Sequence, residues 1–474
     1  MAQNWTTSDL VLVLALPAGP RPGERLQAGL RDAIRQDVLG DGDALPATRE
    51  LAAELGVARG TVVRVYEQLG AEGYLVARAG GRTRVSSRAV PPRGSAQRRP
   101  AAAPRGADLR PGVPDLRRFP AGDWAWAYAR AVRSAGSHEL DYGDGRGHPT
   151  AREAVAGHLR RVRAAATDAD HVVLCQGFAP GLALLLPVLA ARGVRVLAVE
   201  DPGDRAVDDA VRAAGIELAP IPVDAQGLRT GLLHESGAHA VLVTPAHQSP
   251  TGVVLSASRR LELVEWATRS GAWIIEDDYD SEFRYDRQPI GALQGLAPDR
   301  VVLVGSASKA HAPGVRIAWM AVPGELMDDL AARRIAADRG GPVIDQLAFA
   351  ALLESGRHDK HVRTMRGVYA ARRAIVLQTL DRVSPGLTMT GLVAGFHGLL
   401  RLPPGVPEDH VVAAATDASL RVTGLAAFTR HRRDLPPALV LGFGDIDDEA
   451  VVEAIQRLGS VIAAAGGGVL SRER

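Results

Sequence analysis

The sequence predicts an N-terminal winged helix-turn-helix, helical with a β wing, followed by a larger α/β domain that closes in a small α+β part. Three observations predict this. The chain has 474 residues, more than one ordinary domain holds. Two short helical patterns lie either side of Gly56 and lead into a glycine-turn hairpin. Beyond a Pro/Ala/Arg-rich stretch, apolar runs of strand length then alternate with helical segments. The expected division is 1–86 for the head, 87–107 for a linker and 108–474 for the α/β domain. The large part of that domain spans about 108–365 and the small part about 366–466.

Composition sets limits. An apolar fraction of 46% supports sizeable cores, and a net charge of +2 is too small to assign a partner in bulk. The single cysteine, Cys175, excludes an internal disulfide framework and fits a reducing cytosol. Leu10–Leu16 lacks a basic start for a signal peptide, and Leu182–Ala191 is too short to span a bilayer and contains Pro187. A cytoplasmic, nucleoid-associated protein with no membrane contact is expected.

In chain order, LVLVLAL at 10–16 suits a short strand or docking segment. Leu26, Leu30, Ile34 and Leu39 recur near helical spacing. Thr48 is placed to cap a helix to Leu55 that Gly56 ends. A second helix, Ala58 to Ala71, buries Val62, Val65, Tyr66 and Leu69. Residues 74–78 and 83–85 flank Ala79-Gly80-Gly81-Arg82 as a hairpin, the wing. Residues 20–86 carry ten arginines against nine acids, so position must decide. From Gly73 to Ala107 there are eight arginines and no acid, which suits a phosphate backbone. The linker's 21 residues reach at most roughly 70 Å.

In the α/β domain, Trp124–Tyr128 lies in a helix and reads as core, not site. Asp141–Gly147 is a glycine-rich turn before a helix through Leu159. His171–Cys175 is a strand, and Gln176-Gly177-Phe178-Ala179-Pro180 opens a helix. The free N–H groups of that start suit a phosphate, which makes Gly177, Phe178 and Ala179 candidates. Strands follow at 194–199, 216–222 and 240–243, with a helix at 206–214. After Trp319 the pattern is helical to about Leu380, and Lys360 faces solvent. A helix near Asp409–Ser419 and short strands form the small part. A last helix, Glu449–Ala465, ends at Gly466-Gly467-Gly468.

The chemistry concentrates in 272–319. Two apolar runs, Ala272–Ile275 and Val301–Val304, end in polar residues that could share the crevice beyond parallel strands. Asp277 and Tyr279 share a face opposite to Asp278. Of 56 basic residues only Lys309 and Lys360 are lysines, so lysine is kept where arginine will not serve. Lysine forms a Schiff base and arginine cannot. A phosphorylated pyridine aldehyde would use every group here. Lys309 would form the imine, Asp277 would hold the ring-nitrogen proton and Tyr279 would bond the ring hydroxyl. Ser306, Ser308 and Arg316 would hold the phosphate. No metal site is expected.

EDDYDSEFRYDRQP, TPAHQSPTG and SASKAHAPGVRIAW resemble fold-type I pyridoxal-phosphate aminotransferases, and within them the aminotransferase-like domain of MocR-type regulators of the GntR superfamily. LPATRELAAELGVARGTVVRVYEQLGAEGYL resembles the GntR winged helix-turn-helix over about 65 residues. Over the whole chain the likeness is greatest to PdxR-type members. The resemblance implies pyridoxal 5'-phosphate as cofactor and double-stranded DNA with paired operator sites as partner. It puts DNA contacts on Arg49, Arg59, Thr61 and the wing residues Gly80, Gly81 and Arg82; Thr48, Arg64 and Arg84 complete the candidate set. It places His247 or Gln248 near the cofactor ring. It also implies that Tyr142 reaches the cofactor phosphate of a neighbouring subunit, hence a homodimer with shared sites. RNA polymerase is a further candidate partner.

Two departures stand out. The family's Pro-Gly-Tyr-Pro tyrosine is Asp204 here, and the arginine that grips a substrate carboxylate is Ala427, with Arg430 and Arg432 near but displaced. The expectation is therefore a regulator that senses the cofactor and governs vitamin B6 synthesis, with at most residual transaminase activity. The alternatives are a working aminotransferase with a DNA-binding head, or a MocR-type regulator of another pathway that senses an amine or amino acid.

Overall fold

The computed structural model describes residues 3–14, 21–77, 82–86, 106–285, 290–432 and 434–470, with side chains to 466. The chain divides into two compact units, Met1–Ala103 and Pro104–Arg474.

The first unit contains α1 (Thr7–Leu14), α2 (Pro22–Arg35), α3 (Thr48–Glu54), α4 (Arg59–Ala71), β1 (Leu75–Val76) and β2 (Arg84–Val85). Residues 10–14 are helical and not a strand. The alternating Leu and Val suggested a strand, but Thr6 and Asp9 cap this segment. The Asp9 amide donates to Thr6 Oγ1 at 3.2 Å, and that hydroxyl donates to Asp9 Oδ2 at 2.5 Å. Ala15 and Leu16 lie outside the described residues. Thr48 is not a cap: Ala47 occupies that position in an extended conformation, and Thr48 is already helical. Gly56, with φ +62°, ends the turn after α3 in the left-handed conformation that glycine tolerates. Leu26, Leu30, Leu51, Val62, Val65, Tyr66 and Leu69 form the core with Leu10 and Trp5. The wing strands pair antiparallel, Leu75 with Val85 and Val76 with Arg84. Gly80, Gly81 and the linker residues 87–105 lie outside the described residues.

The second unit begins with β3 (Ala107–Asp108), α5 (Ala121–Ser134) and α6 (Pro149–Arg163). Its sheet uses β4 (Val172–Cys175), β5 (Val196–Asp201), β6 (Glu217–Asp224), β7 (Gly227–Leu228), β8 (Ala240–Val243), β9 (Trp273–Asp278), β10 (Val301–Ser306) and β11 (Ala318–Ala321). The helices between are α7 (Phe178–Ala191), α8 (Asp208–Ala213) and α9 (Ala257–Ser270). The strand order is β4-β11-β10-β9-β8-β5-β6-β7, with β11 and β7 antiparallel to their neighbours. The apolar runs are buried on both faces, as a helix-covered sheet requires. Val302 and Val304 join one core, and Leu303 joins the opposite one with Trp319 and Phe349.

Helices α10 (Gly324–Asp338), α11 (Val343–Glu354) and α12 (Arg357–Val383) follow. Helix α12 runs through residues 365 and 366, so the large and small parts share one continuous helix. The small part holds β12 (Met389–Thr390), β13 (His397–Arg401), α13 (Glu408–Asp417), β14 (Leu420–Arg421), β15 (Thr423–Gly424), β16 (Ala438–Gly442) and α14 (Asp448–Leu470). Strand β14 pairs with β3, which ties the entering chain to the small part. Helix α14 does not stop at Gly466 but continues through the glycines to Leu470. Glycine weakens a helix by about 1 kcal/mol per residue, and it ends one only where the backbone turns left-handed.

Candidate cofactor site

The parallel strands β4, β5, β8, β9 and β10 point their carboxyl ends at one cavity of about 440 Å³. From the segment after β4 come Phe178 and Ala179; from after β5, Asp204; from after β8, Thr244, Ser249 and Pro250. The end of β9 supplies Asp277 and Tyr279, and the end of β10 supplies Ser306, Ser308 and Lys309. Arg316 and the arm residues Pro111 and Gly112 complete this side, while His397, Phe428 and Val440 enter from the small part. This is where open α/β sheets bind ligands.

The alternation along β9 separates two tasks. Asp278 turns away and pairs with Arg163 at 2.7 Å, both side chains buried. Asp277 faces the cavity. Its carboxyl is raised well above the usual range, first by burial, then by Asp204 and Asp278, with Lys309 opposing. Lys309 is held below the ordinary lysine range by burial, against the pull of Asp280, Asp277 and Asp204. Its Nζ donates to the carbonyl of Gly112 at 2.5 Å.

The side chains of Asp277, Ser306, Ser308 and Arg316 make no hydrogen bond or ion pair with another described residue. Polar groups so placed are ordinarily paired. The backbone is also shaped for a ligand. Gly177 has φ +114°, and a β-carbon there would sit 2.6 Å from Arg316 Nη2. Gly177 precedes the first turn of α7, whose start faces the crevice. These groups fit a phosphorylated pyridine aldehyde: a cation and two hydroxyls for a phosphate, a carboxyl for a ring nitrogen, a phenol and an amine.

His247 and Gln248 stand behind the cavity wall. His247 bonds Asp280 through Nδ1 at 2.7 Å and the Gly391 carbonyl through Nε2 at 3.0 Å. Burial works against its charged form, but Asp280 leaves its pKa raised. Its Nδ1 is 3.1 Å from the Tyr279 hydroxyl, and its ring is 4.8 Å from that of His397. Gln248 bonds Glu200, the carbonyls of Pro202 and Ser249, and Thr251. Tyr142 lies away from this cavity. It is 77% exposed and lines a groove with Arg339 and Pro342, the Arg339 guanidinium over its ring. Cys175 is buried, with its thiol pushed up to about 12 by burial, and so is a core residue.

His397 was not singled out by sequence. Burial, then His247 and Lys309, hold its pKa well below the usual range, so it lines the cavity as a neutral ring. Its β13 position, where a strand enters the small part, was the available signal. Arg430 and Arg432 are spent on the protein. Arg430 pairs with Asp208 at 2.5 Å and bonds the Glu200 and Asp204 carbonyls; Arg432 pairs with Asp434. Ala427 is exposed in the turn beside Phe428.

In the first unit, Arg49, Arg59, Arg64 and Arg82 are exposed and have no ion-pair partner among the described residues. Arg31 instead pairs with Glu72 at 2.9 Å, and Arg84 Nη1 bonds the Gly42 carbonyl at 2.6 Å. Thr48 and Thr61 are half-buried at the first turns of α3 and α4. No helix among the described residues is long and apolar enough to cross a membrane.

Comparison with known proteins agrees with both units. Residues 22–85 match the bacterial regulatory proteins of the gntR family, and residues 113–434 match aminotransferase class I and II. The chain is 33% identical to the HTH-type pyridoxine biosynthesis transcriptional regulator PdxR of Corynebacterium glutamicum, covering 90% of this chain and 93% of that protein. It is 31% identical to the probable rhizopine catabolism regulatory protein MocR of Rhizobium meliloti, over 96% of each. Among solved structures, an archaeal alanine:glyoxylate aminotransferase superposes with a TM-score of 0.70 at 24% identity, over 76% of this chain and 91% of that one. The multiple substrate aminotransferase of Thermococcus profundus gives 0.69 at 24%, over 77% and 93%. The chain therefore belongs to the MocR-type transcriptional regulators of the GntR family, in which a DNA-binding winged helix-turn-helix is joined to an aminotransferase-like domain.

Proposed function

We propose that this regulator binds pyridoxal 5'-phosphate at Lys309, responds to the cofactor itself, and controls genes of vitamin B6 supply as a cytoplasmic homodimer on paired operator sites. One observation carries the reading. Among the described residues, the groups that would hold the cofactor, Asp277, Ser306, Ser308 and Arg316, have no side-chain partner, while Arg430 and Arg432 pair with Asp208 and Asp434. A site that keeps its cofactor contacts and lacks a carboxylate clamp suits a sensor better than a transaminase. The name of the Corynebacterium relative supports the choice of genes.

When bound, the cofactor supplies an aldehyde for the lysine and an electron-withdrawing ring. Lys309 offers an amine whose burial favours the uncharged, reactive form. Asp277 holds a proton at the ring nitrogen, Tyr279 orients the ring hydroxyl, and Arg316 with the two serines fixes the phosphate. Tyr142 of each protomer completes the other's site. The exposed arginines of α3, α4 and the wing take the DNA, Arg59 at base edges and Arg82 on phosphates.

The test is operator binding with and without cofactor. Pyridoxal phosphate alone should change affinity for DNA from upstream of vitamin B6 genes. By linkage, the operator should change cofactor affinity by the same factor. Unchanged binding with cofactor alone, together with a response to one amino acid, would replace this reading with an amino-acid sensor.

A further inference from the structure

On that reading, one charged side chain of the cavity has no task. Arg316 answers a phosphate, Asp277 a ring nitrogen and Lys309 an aldehyde; Asp204 answers none of them. It lines the same cavity and has no ion-pair partner among the described residues. Among the described residues, its Oδ1 accepts the Ala206 amide, at 2.9 Å, and no other donor. Arg430 fixes this loop by its backbone, bonding the Asp204 carbonyl at 2.6 Å while its charge is matched by Asp208. The nearest cation that responds to Asp204 is Lys309, which the cofactor engages, and after burial Asp204 is the first influence that raises Asp277.

The opposite sign is missing. Among the described residues that line the cavity, the basic side chains are Lys309, Arg316 and His397. The first two are engaged by the cofactor, and His397 is neutral. Among the described residues of this chain that line the cavity, a carboxylate entering beside the cofactor would meet a like charge and no guanidinium other than Arg316. An ammonium would meet an unpaired carboxylate, and an alkyl chain would lie near Phe178 and Phe428.

We infer that Asp204 is a specificity-determining residue, and that the space beside the cofactor takes amines with a second cationic group and no carboxylate, the diamine class, while it turns amino acids away. This inference rests on the cofactor reading and extends it, since a site that rejects amino acids keeps its cofactor in the sensing form.

The test uses the full-length, cofactor-free protein and reads equilibrium binding. The probes are reduced phosphopyridoxyl conjugates of putrescine and cadaverine, of butylamine, and of γ-aminobutyrate and δ-aminovalerate. Diamine conjugates should bind tightest and ω-amino acid conjugates weakest, by about tenfold or more between them. Asp204→Asn keeps the acceptor for the Ala206 amide and removes the charge, so it should collapse the order to within about threefold. Carboxylate conjugates binding as well as diamine conjugates to the unaltered protein would overturn the inference, as would an order unchanged in Asp204→Asn. Pyridoxamine phosphate, which has no side arm, tests the cofactor reading alone. If it does not bind, both fall; if it binds and no order appears, only the inference falls.

Discussion

The guanidinium of Arg316 lies against the bare α-carbon of Gly177, in the space where a β-carbon would come within 2.6 Å of Nη2. The two residues are far apart in sequence, and both have positive φ, +114° for Gly177 and +56° for Arg316. The contact aims a guanidinium that has no ion-pair partner among the described residues.

Gly177→Ala should therefore act on cofactor affinity. The methyl group must displace Arg316, and alanine is strained at this φ. We expect affinity for pyridoxal phosphate to fall at least about tenfold, about 1.4 kcal/mol. Titration by visible absorbance measures it, and a thermal melt of the cofactor-free variant checks that the fold survives. Unchanged affinity would remove Arg316 from the phosphate role.

Lys309 and Lys360 offer a direct comparison of a buried and an exposed lysine. Burial disfavours the ammonium at Lys309, so its free amine persists below the ordinary lysine range. At near-neutral pH, borohydride trapping of pyridoxal phosphate should label Lys309. Lys309→Ala should leave no adduct in the cavity. Peptide mass mapping after trapping decides, and an adduct found only on Lys360 would sink the assignment.

The sheet and the placement of Lys309 at its cavity were legible in sequence because the polar residues at the strands' carboxyl ends come straight after apolar runs. Asp277, Tyr279, Ser306 and Ser308 need only strand phase to be placed. His397 and Phe428 were not legible, because they reach the cavity through the tertiary packing of the small part. The lead-in arm from Asp108 was legible, but its contact with the cavity was not, for the same reason: Gly112 meets Lys309 across 197 positions of sequence. The misreadings of 10–14 and Thr48 were local. In the first, the Thr6–Asp9 cap outweighed an alternating apolar pattern; in the second, helix entry came one residue earlier than the favoured capping residue.

The free guanidiniums of the first unit divide by position. Arg59 opens α4, the helix expected in the major groove, and Arg82 sits in the wing. Arg59→Ala should cost roughly 1–3 kcal/mol on the operator and much less on random DNA. Arg82→Ala should weaken both alike and flatten the salt dependence. Equal losses on operator and random DNA for Arg59→Ala, measured across a salt series, would remove it from base reading.

The last prediction concerns the pair that locks the arm to α12. Asp115 and Arg372 meet at 2.9 Å with side chains 2% and 1% exposed. The Asp115 amide also donates to Tyr369 Oη at 3.0 Å. Burial acts to raise the Asp115 carboxyl, but hydrogen bonds and charge from Arg372 and Arg117 outweigh it and hold the carboxyl below its ordinary value. A depressed carboxylate contributes stability above its unfolded pKa of about 3.9, and that contribution is lost as pH falls through the lower folded value. Asp115→Ala removes one of the two carboxylates paired with Arg372, leaving Asp448 at 3.0 Å, and should cost about 1–3 kcal/mol at neutral pH. The difference between variant and unaltered protein should shrink as the solution is acidified below about pH 4. Urea unfolding of both proteins across that range provides the measurement. A difference that stays constant down to the lowest pH would show that Asp115 acts through packing and not through its charge.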